Sequence, residues 1–159
     1  MTKKKIIFVL PSLKAGGAER VVSFLAKNFD QNVFEIKIVI VGYKKDAVYN
    51  VDDLDVTFFN QKRLFNGVYP LYKFIKKQKP YLVFGTIRHV NILLGIYNLI
   101  FKNVRFIVRE ASVMSTMSKF SNSKQQIPNF LLKFLYSKLD AIVCQSNDIK
   151  KDLKNQLDI

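Results

Sequence analysis

Gly16 and Gly17 stand between an apolar run, Ile6 to Leu10, and a stretch of helical periodicity, Ala18 to Phe29. A strand, a glycine turn and a helix start in that order leave backbone N–H groups free at the positive end of a helix, where a phosphate or carboxylate can be held. Two glycines also remove Cβ atoms, so a ligand can approach the backbone closely; a plain tight turn without a ligand is the alternative. Glu19 and Arg20 fall in the first helical turn, where the dipole favours the glutamate, and form either a local pair or a solvated face. The segment Gly16-Gly17-Ala18-Glu19-Arg20-Val21 has neither the G-x-G-x-x-G spacing of a dinucleotide fingerprint nor a P-loop lysine, so NAD binding and ATP hydrolysis are disfavoured. No H-E-x-x-H, EF-hand or Cys/His cluster is present in the sequence, and no protein-held metal or other cofactor is expected.

These residues need elements to position them. Lys5 to Leu10 predicts a buried strand, and Ala18, Val21, Val22, Leu25 and Phe29 recur at helical spacing. Further strands are predicted over Ile36 to Val41, Val56 to Phe59, Tyr81 to Phe84, Arg105 to Val108 and Ala141 to Cys144. Helices are predicted with Pro70 in first position and closing at Pro80, from His89 to Phe101, after Pro128, and after a cap at Ser146 or Asn147. Ser112 to Gln126, rich in Ser, Lys, Gln and Asn, reads as a long mobile loop. Strands alternating with helices imply parallel βαβ units with right-handed crossovers. The expected fold is α/β: a single Rossmann-like domain over residues 1–159, with a mostly parallel sheet and helices on both faces. Ligands of such sheets bind beyond the carboxyl ends of the strands, so Ser12 to Gly17, Gly42 to Lys45, Thr86 to His89, Arg109 to Ser112 and Gln145 to Asn147 are expected to share one cleft.

Composition narrows the class. The 159 residues are 49% hydrophobic, which suits one globular domain and argues against disorder. Lys3, Lys4 and Lys5 lead into an apolar run too short for a signal-peptide core, so a cytoplasmic location is expected. Val90 to Phe101 is interrupted by Asn91, Gly95 and Asn98 and falls short of the roughly 18 apolar residues that span a bilayer; it reads as a buried helix. The lone cysteine, Cys144, reads as a small buried hydrophobe. A net charge of +14 asks for an anionic partner: a membrane surface, nucleic acid or phosphorylated small molecules. Lys62, Arg63, Lys73, Lys76, Lys77 and Lys79 surround Leu64, Phe65, Tyr69, Tyr72 and Phe74, a mixture suited to lying on anionic lipid; Lys73, Lys76, Lys77 and Lys79 are the expected membrane contacts, with a merely solvated lysine-rich helix as the alternative.

The run from Lys5 to Leu13 followed by Gly16-Gly17-Ala18-Glu19-Arg20 resembles the opening of glycosyltransferase family 4, and the resemblance continues through Arg109-Glu110-Ala111-Ser112 and through Ser146 after Ala141 to Gln145. It covers nearly the whole chain. The first motif is fairly specific, and the others carry weight only together. The family is made of GT-B enzymes, two Rossmann-like domains facing across a cleft. The resemblance implies retaining transfer from a nucleotide sugar to a glycan or lipid-linked acceptor, as in capsule, O-antigen or other bacterial cell-surface glycan assembly, with the protein peripheral on the inner face of the membrane. It places Gly16 and Gly17 against the donor diphosphate, and Glu110 near the reacting sugar, where it orients a hydroxyl or, alternatively, pairs with Arg109. His89, the one histidine, serves as a cleft hydrogen-bonding group or as a cap, and Lys14, Arg88, Arg109 and Ser112 are acceptor or sugar-binding candidates. The family's donor-binding domain, with its Lys/Arg pair and paired glutamates, is not found before Ile159, so the chain is expected to be the acceptor-side half, inactive by itself. The competing reading is a basic binding module for nucleic acid or anionic membrane without catalysis. No recognised nucleic-acid motif supports its first form, and no nucleic-acid partner is expected. A response-regulator or flavodoxin-like domain would want an acidic pocket or flavin loops where Pro11-Ser12-Leu13-Lys14 stands.

Overall fold

The computed structural model describes residues 2–51, 53–113 and 128–159. In chain order the elements are β1 (Lys4–Leu10), α1 (Gly17–Asn28), β2 (Phe34–Ile40), a single 3-10 turn (Lys44–Asp46), β3 (Asp55–Phe58), α2 (Leu64–Gln78), β4 (Leu82–Gly85), α3 (Arg88–Ile100), β5 (Arg105–Glu110), α4 (Asn129–Tyr136), β6 (Ala141–Cys144) and α5 (Asn147–Leu157). The six strands form one all-parallel sheet in the order β3-β2-β1-β4-β5-β6. This is the Rossmann-like α/β architecture the alternating pattern implies.

Strand β1 sits at the centre, in register with β2 from Lys4 opposite Phe34 to Leu10 opposite Ile40, and with β4 from Ile6 opposite Leu82 to Val9 opposite Gly85. Because successive side chains point to opposite faces, its unbroken apolar run feeds two cores at once. Ile7 and Val9 join Leu71 and Ile75 of α2 and Val90, Leu94 and Tyr97 of α3, whereas Ile6, Phe8 and Leu10 join Val22 and Ala26 of α1. A third cluster at the β6 edge joins Leu132 and Tyr136 of α4 to Leu153 and Leu157 of α5. Helices therefore cover both faces, unevenly. Among the described residues the α1-side core includes nothing from β5 or β6, and Val143 remains 47% exposed.

The α2 segment departs from expectation. It opens six residues before Pro70, which lies inside the helix. An interior proline lacks the N–H for the i−4 carbonyl and crowds that turn. Close to the proline, the Tyr97 hydroxyl of α3 donates to the Val68 carbonyl, tying α2 to its neighbour. Gly67 is required there, since a Cβ would stand 2.6 Å from Val41 Cγ1. Burial pushes the Tyr97 phenol well above its usual value. The cap expected at Ser146 or Asn147 is Ser146, whose Oγ accepts from Ile149 N–H at 3.3 Å.

Candidate functional site

In the observed strand order, β1 leads away toward β2 on one side while β4 leads toward β5 on the other. The adjacent tips of β1 and β4 are thus the topological switch point, the place beyond the carboxyl ends of the strands where ligands of such sheets generally bind. The N-termini of α1 and α3 follow directly from those two tips.

At the start of α1, Gly16 is the N-cap, in extended backbone at φ −163°. Neither glycine of the pair has positive φ, so backbone strain does not explain them. Glu19 explains Gly16: a Cβ there would lie 2.3 Å from Glu19 Oε2. The Glu19 side chain folds back over the cap and is only 7% exposed, while Arg20 beside it faces solvent. Tyr49 closes the same turn. Its hydroxyl accepts from Gly16 N–H at 3.3 Å and donates to Gly16 C=O at 2.8 Å, a carbonyl that also accepts from Arg20 N–H at 3.1 Å. The Gly16 N–H, expected to face a diphosphate, is thereby engaged within the protein. Gly17 differs: it is exposed, and a Cβ built on it meets nothing within 4 Å. Lys14 is a surface residue, 3.6 Å from Asp46.

Glu110 is the last residue of β5 and is turned inward, 3% exposed. Its Oε1 accepts from Asn91 Nδ2 at 2.7 Å and from the Tyr136 hydroxyl at 2.5 Å, so one carboxylate ties β5 to α3 and α4. Asn91 also donates to the Arg109 carbonyl at 3.1 Å. The alternative reading, a Glu110–Arg109 pair, does not form among the described residues. Neighbouring strand residues point to opposite faces, and Arg109 instead reaches Thr86 Oγ1 at 3.0 Å and Gln145 Oε1 at 2.8 Å, linking the tips of β4, β5 and β6. Burial first, and then the Glu110 charge, hold the Tyr136 phenol far above its usual range. The same two causes raise the Cys144 thiol, and Cys144 packs in the β6-edge cluster.

Arg88 and His89 open α3. The Arg88 Nε and Nη2 atoms are buried and have no hydrogen-bond partner among the described residues, and its charge is felt at Tyr136. His89 lies at the surface, yet local desolvation lowers its imidazole pKa below 6.5. Ser112 is exposed just beyond β5. The remainder of the expected loop, with Met114, Met117 and Phe120, lies outside the described residues. Lys73, Lys76, Lys77 and Lys79 are all exposed on or just after α2, outside the strand-tip crevice; Lys73 stands 4.5 Å over the Tyr69 ring and Lys76 6.0 Å over Tyr72.

Two surface cavities lie on the β2–β3 side of the sheet. One of about 290 Å³ is lined by Tyr49, Asn50, Lys44, Ala47, Val48, Val51 and Phe58, next to the glycine turn that Tyr49 holds. A larger one of about 410 Å³ lies against Lys27 and Gln31, toward the far end of α1. Among the described residues no group of three or more His, Cys, Asp or Glu side chains could hold a metal ion, and no helix is long and apolar enough to cross a membrane. Sequence reasoning missed Tyr49, Asn91 and Tyr136. Asn91 alone left a signal, as a polar residue interrupting an apolar helix.

A doubly wound sheet with its switch point between β1 and β4 defines a Rossmann-like ligand-binding domain. No protein-family model matches the sequence, and no curated protein does. Solved structures do. A Listeria monocytogenes protein described as a UDP-N-acetylglucosamine 2-epimerase superposes over 98% of this chain with a TM-score of 0.66 at 16% identity. Sucrose-phosphate synthase from Thermosynechococcus elongatus superposes over 96% with a TM-score of 0.66 at 13% identity. At those identities the likeness is one of fold. The chain spans 43% and 45% of the two structures, less than half of each.

Proposed function

We propose that this chain is one Rossmann-like domain of an enzyme acting on nucleotide-linked sugars, namely a glycosyltransferase of the GT-B type that works with a second domain across the β1/β4 crevice. The observation that carries the reading is Arg88. Its guanidinium, on the helix that starts at the switch point, keeps buried N–H donors without acceptors among the described residues, an arrangement that favours an anionic oxygen. It does so in a chain that shares its fold, end to end, with proteins whose names speak of sugar nucleotides and sugar phosphates.

In this reading the donor diphosphate is met by Arg88 and the helix start behind it. Gly16, with its N–H engaged, shapes the turn, and Gly17 keeps the crevice open. Arg109, held between Thr86 and Gln145, and the exposed Ser112 and Lys14 face the acceptor side. His89 hydrogen-bonds a sugar hydroxyl. Glu110 is a positioning residue, fixing the starts and ends of α3, β5 and α4. The finer proposal is retaining transfer, in which the leaving phosphate takes the acceptor proton and protein dipoles steady the charge. The acceptor is a glycan or a lipid-linked sugar of cell-surface polysaccharide assembly, and the α2 lysines rest on anionic lipid. Phe65 and Tyr69, 83% and 63% exposed near those lysines, favour the membrane contact.

The test is calorimetric titration of UDP, UDP-glucose and UDP-N-acetylglucosamine into the chain and its Arg88→Met variant. Binding that drops at least tenfold in the variant supports the reading; no binding to either, or equal binding to both, removes Arg88 from it. Cosedimentation with phosphatidylglycerol vesicles tests the membrane arm. If replacing Lys73, Lys76, Lys77 and Lys79 together leaves binding unchanged, that patch is not the anchor.

A further inference from the structure

Helix α3 carries apolar side chains on most of its sides, and the fold covers only part of them. Val90, Leu93, Leu94 and Tyr97 enter the core beneath it, whereas Ile96, Leu99 and Ile100, spaced i, i+3 and i+4, form one exposed stripe, with Ile100 53% exposed. Helix α4 is divided in the same way: Leu132, Leu135 and Tyr136 are buried, while Phe130, Leu131 and Phe134 stay outside, Phe130 at 76%. The two helices pack closely. A Cβ on Gly95 would lie 3.0 Å from the Leu135 carbonyl oxygen, and about one turn on, Asn98 Nδ2 donates to the Lys138 carbonyl. Since 95 and 98 on one helix match 135 and 138 on the other, the helices run parallel, and their exposed stripes lie on the same outer side of the seam, away from the sheet. Six large apolar side chains thus border one surface.

The charges around this surface select what covers it. Lys102 and Lys138 are exposed beside the stripes, and Lys138 Nζ stands 5.1 Å from the centre of the Phe134 ring. Of the nearby acids, Asp140 accepts from Phe106 N–H at 2.7 Å and Asp158 is paired with Lys133 at 2.7 Å. A second copy of the chain would bring two such basic rims together, between molecules that each carry a net charge of +14. An anionic bilayer meets both parts of the surface: apolar side chains enter the boundary between headgroups and acyl chains, and lysine stems lie along them with their ammonium groups at lipid phosphates. We infer that the α3/α4 seam is a membrane-insertion face, with Ile96, Leu99, Ile100, Phe130, Leu131 and Phe134 entering an anionic leaflet and Lys102 and Lys138 at its phosphates. Helix α2 joins the same core as α3, so its lysines belong to the same helical layer. The choice of lipid rests on the membrane arm of the reading above and deepens it: the α2 lysines supply attraction, and the seam supplies insertion.

The chain contains no tryptophan, so a single introduced one reports alone. Phe130→Trp and, separately, Phe65→Trp are made in the full chain and followed by fluorescence with phosphatidylglycerol or phosphatidylcholine vesicles, with and without brominated acyl chains, in about 0.1 M and about 1 M salt. Phe130→Trp is expected to shift to the blue and to be quenched by brominated phosphatidylglycerol, and to stay quenched at the higher salt, where a contact made by lysines alone is screened. The combined variant Ile100→Ser, Phe130→Ser, Phe134→Ser is expected to weaken cosedimentation at least about tenfold while its circular dichroism is unchanged. An unquenched Phe130→Trp, or vesicle binding unchanged in the combined variant, overturns the inference. So does a blue shift that grows with protein concentration without vesicles, together with a dimer in sedimentation equilibrium, because a second copy then covers the seam. Quenching at Phe65→Trp alone, lost on replacing Lys73, Lys76, Lys77 and Lys79, would sink the seam and leave the α2 contact standing. Quenching at Phe130→Trp that survives those replacements would sink the α2 anchor and keep the seam.

Discussion

Glu19, in the helix that follows β1, and Glu110, at the end of β5, are two acidic residues with little exposed surface, their strands separated by β4, and their carboxylates are held in different ways. Glu110 accepts two hydrogen bonds through Oε1, from α3 and from α4, and links three elements. Glu19 is 7% exposed as a whole residue, but its carboxylate oxygens are not among the buried atoms left without a partner, and among the described residues the side chain links no second element of the sheet. Desolvating a carboxylate is costly unless hydrogen bonds replace its water. At Glu110 the protein supplies the replacement, so the residue belongs to the architecture. At Glu19 the carboxylate lies in the first turn of a helix, where the N-terminal dipole favours its negative charge. Burial alone would rank both residues as structural; the inventory of partners separates them.

The largest effect expected from breaking this contrast is at Glu110. Glu110→Ala leaves Asn91 Nδ2 with one acceptor fewer and strands the Tyr136 hydroxyl in the core, and should cost about 3 kcal/mol of unfolding free energy in urea titration. Tyr136→Phe removes a single donor and should cost about 1.5 kcal/mol, with the double variant less destabilised than the sum because the two share one bond. A loss at Glu110→Ala no larger than that of a surface substitution would put the two carboxylates in the same class. Alkali probes the same cluster. The Tyr136 and Tyr97 phenols are raised in the folded state, so above the unfolded value of 10.0 the unfolded chain sheds protons that the native chain keeps. Stability should then fall as pH rises past 10.0, by up to about 1.4 kcal/mol per tyrosine for each further pH unit. Phenolate absorbance should lag for two of the seven tyrosines until the chain unfolds.

Gly16 sharpens the contrast from the other side. Gly16→Ala places a Cβ 2.3 Å from Glu19 Oε2, but the obstacle is the tip of a flexible side chain, so the carboxylate should swing outward at a cost of about 1 kcal/mol. Glu19→Ala should relieve that penalty in the Gly16→Ala background. A Gly16→Ala penalty that persists without Glu19 would mean that the backbone itself demands glycine.

The sequence displayed the sheet clearly because each strand is a local apolar run, and a fully buried central strand such as Ile6 to Leu10 needs no partner to be recognised. It displayed the glycine turn too, but not its cause, since whether a cradle at Gly16 holds a ligand or Glu19 is decided by side-chain direction. Pro70 misled through a sound preference for the first turn of a helix. The contact that ties this part of α2 to α3 comes from Tyr97, 27 positions after the proline and invisible to any local pattern. Glu110, Asn91 and Tyr136 likewise meet only because β5, α3 and α4 pack together. Arg109 and Glu110 are adjacent in sequence, which left a pair between them open as the alternative; strand geometry sends them to opposite faces.

The smallest effect concerns a third titratable group near the crevice, His89, which is exposed where the two glutamates are buried. Desolvation lowers its folded pKa below 6.5, so as pH falls through 6.5 the unfolded chain takes up a proton before the native one does. The native state therefore loses stability below pH 6.5, and the loss levels off once the folded imidazole is also protonated. Solvent screening at an exposed site should keep the loss well under about 1 kcal/mol. His89→Gln should abolish that part of the slope in urea titrations at stepped pH. The sign is diagnostic: a nearby carboxylate would favour the imidazolium and reverse the slope. If stability rises as pH falls through this window, and His89→Gln removes the rise, then His89 pairs with an acidic group in solution.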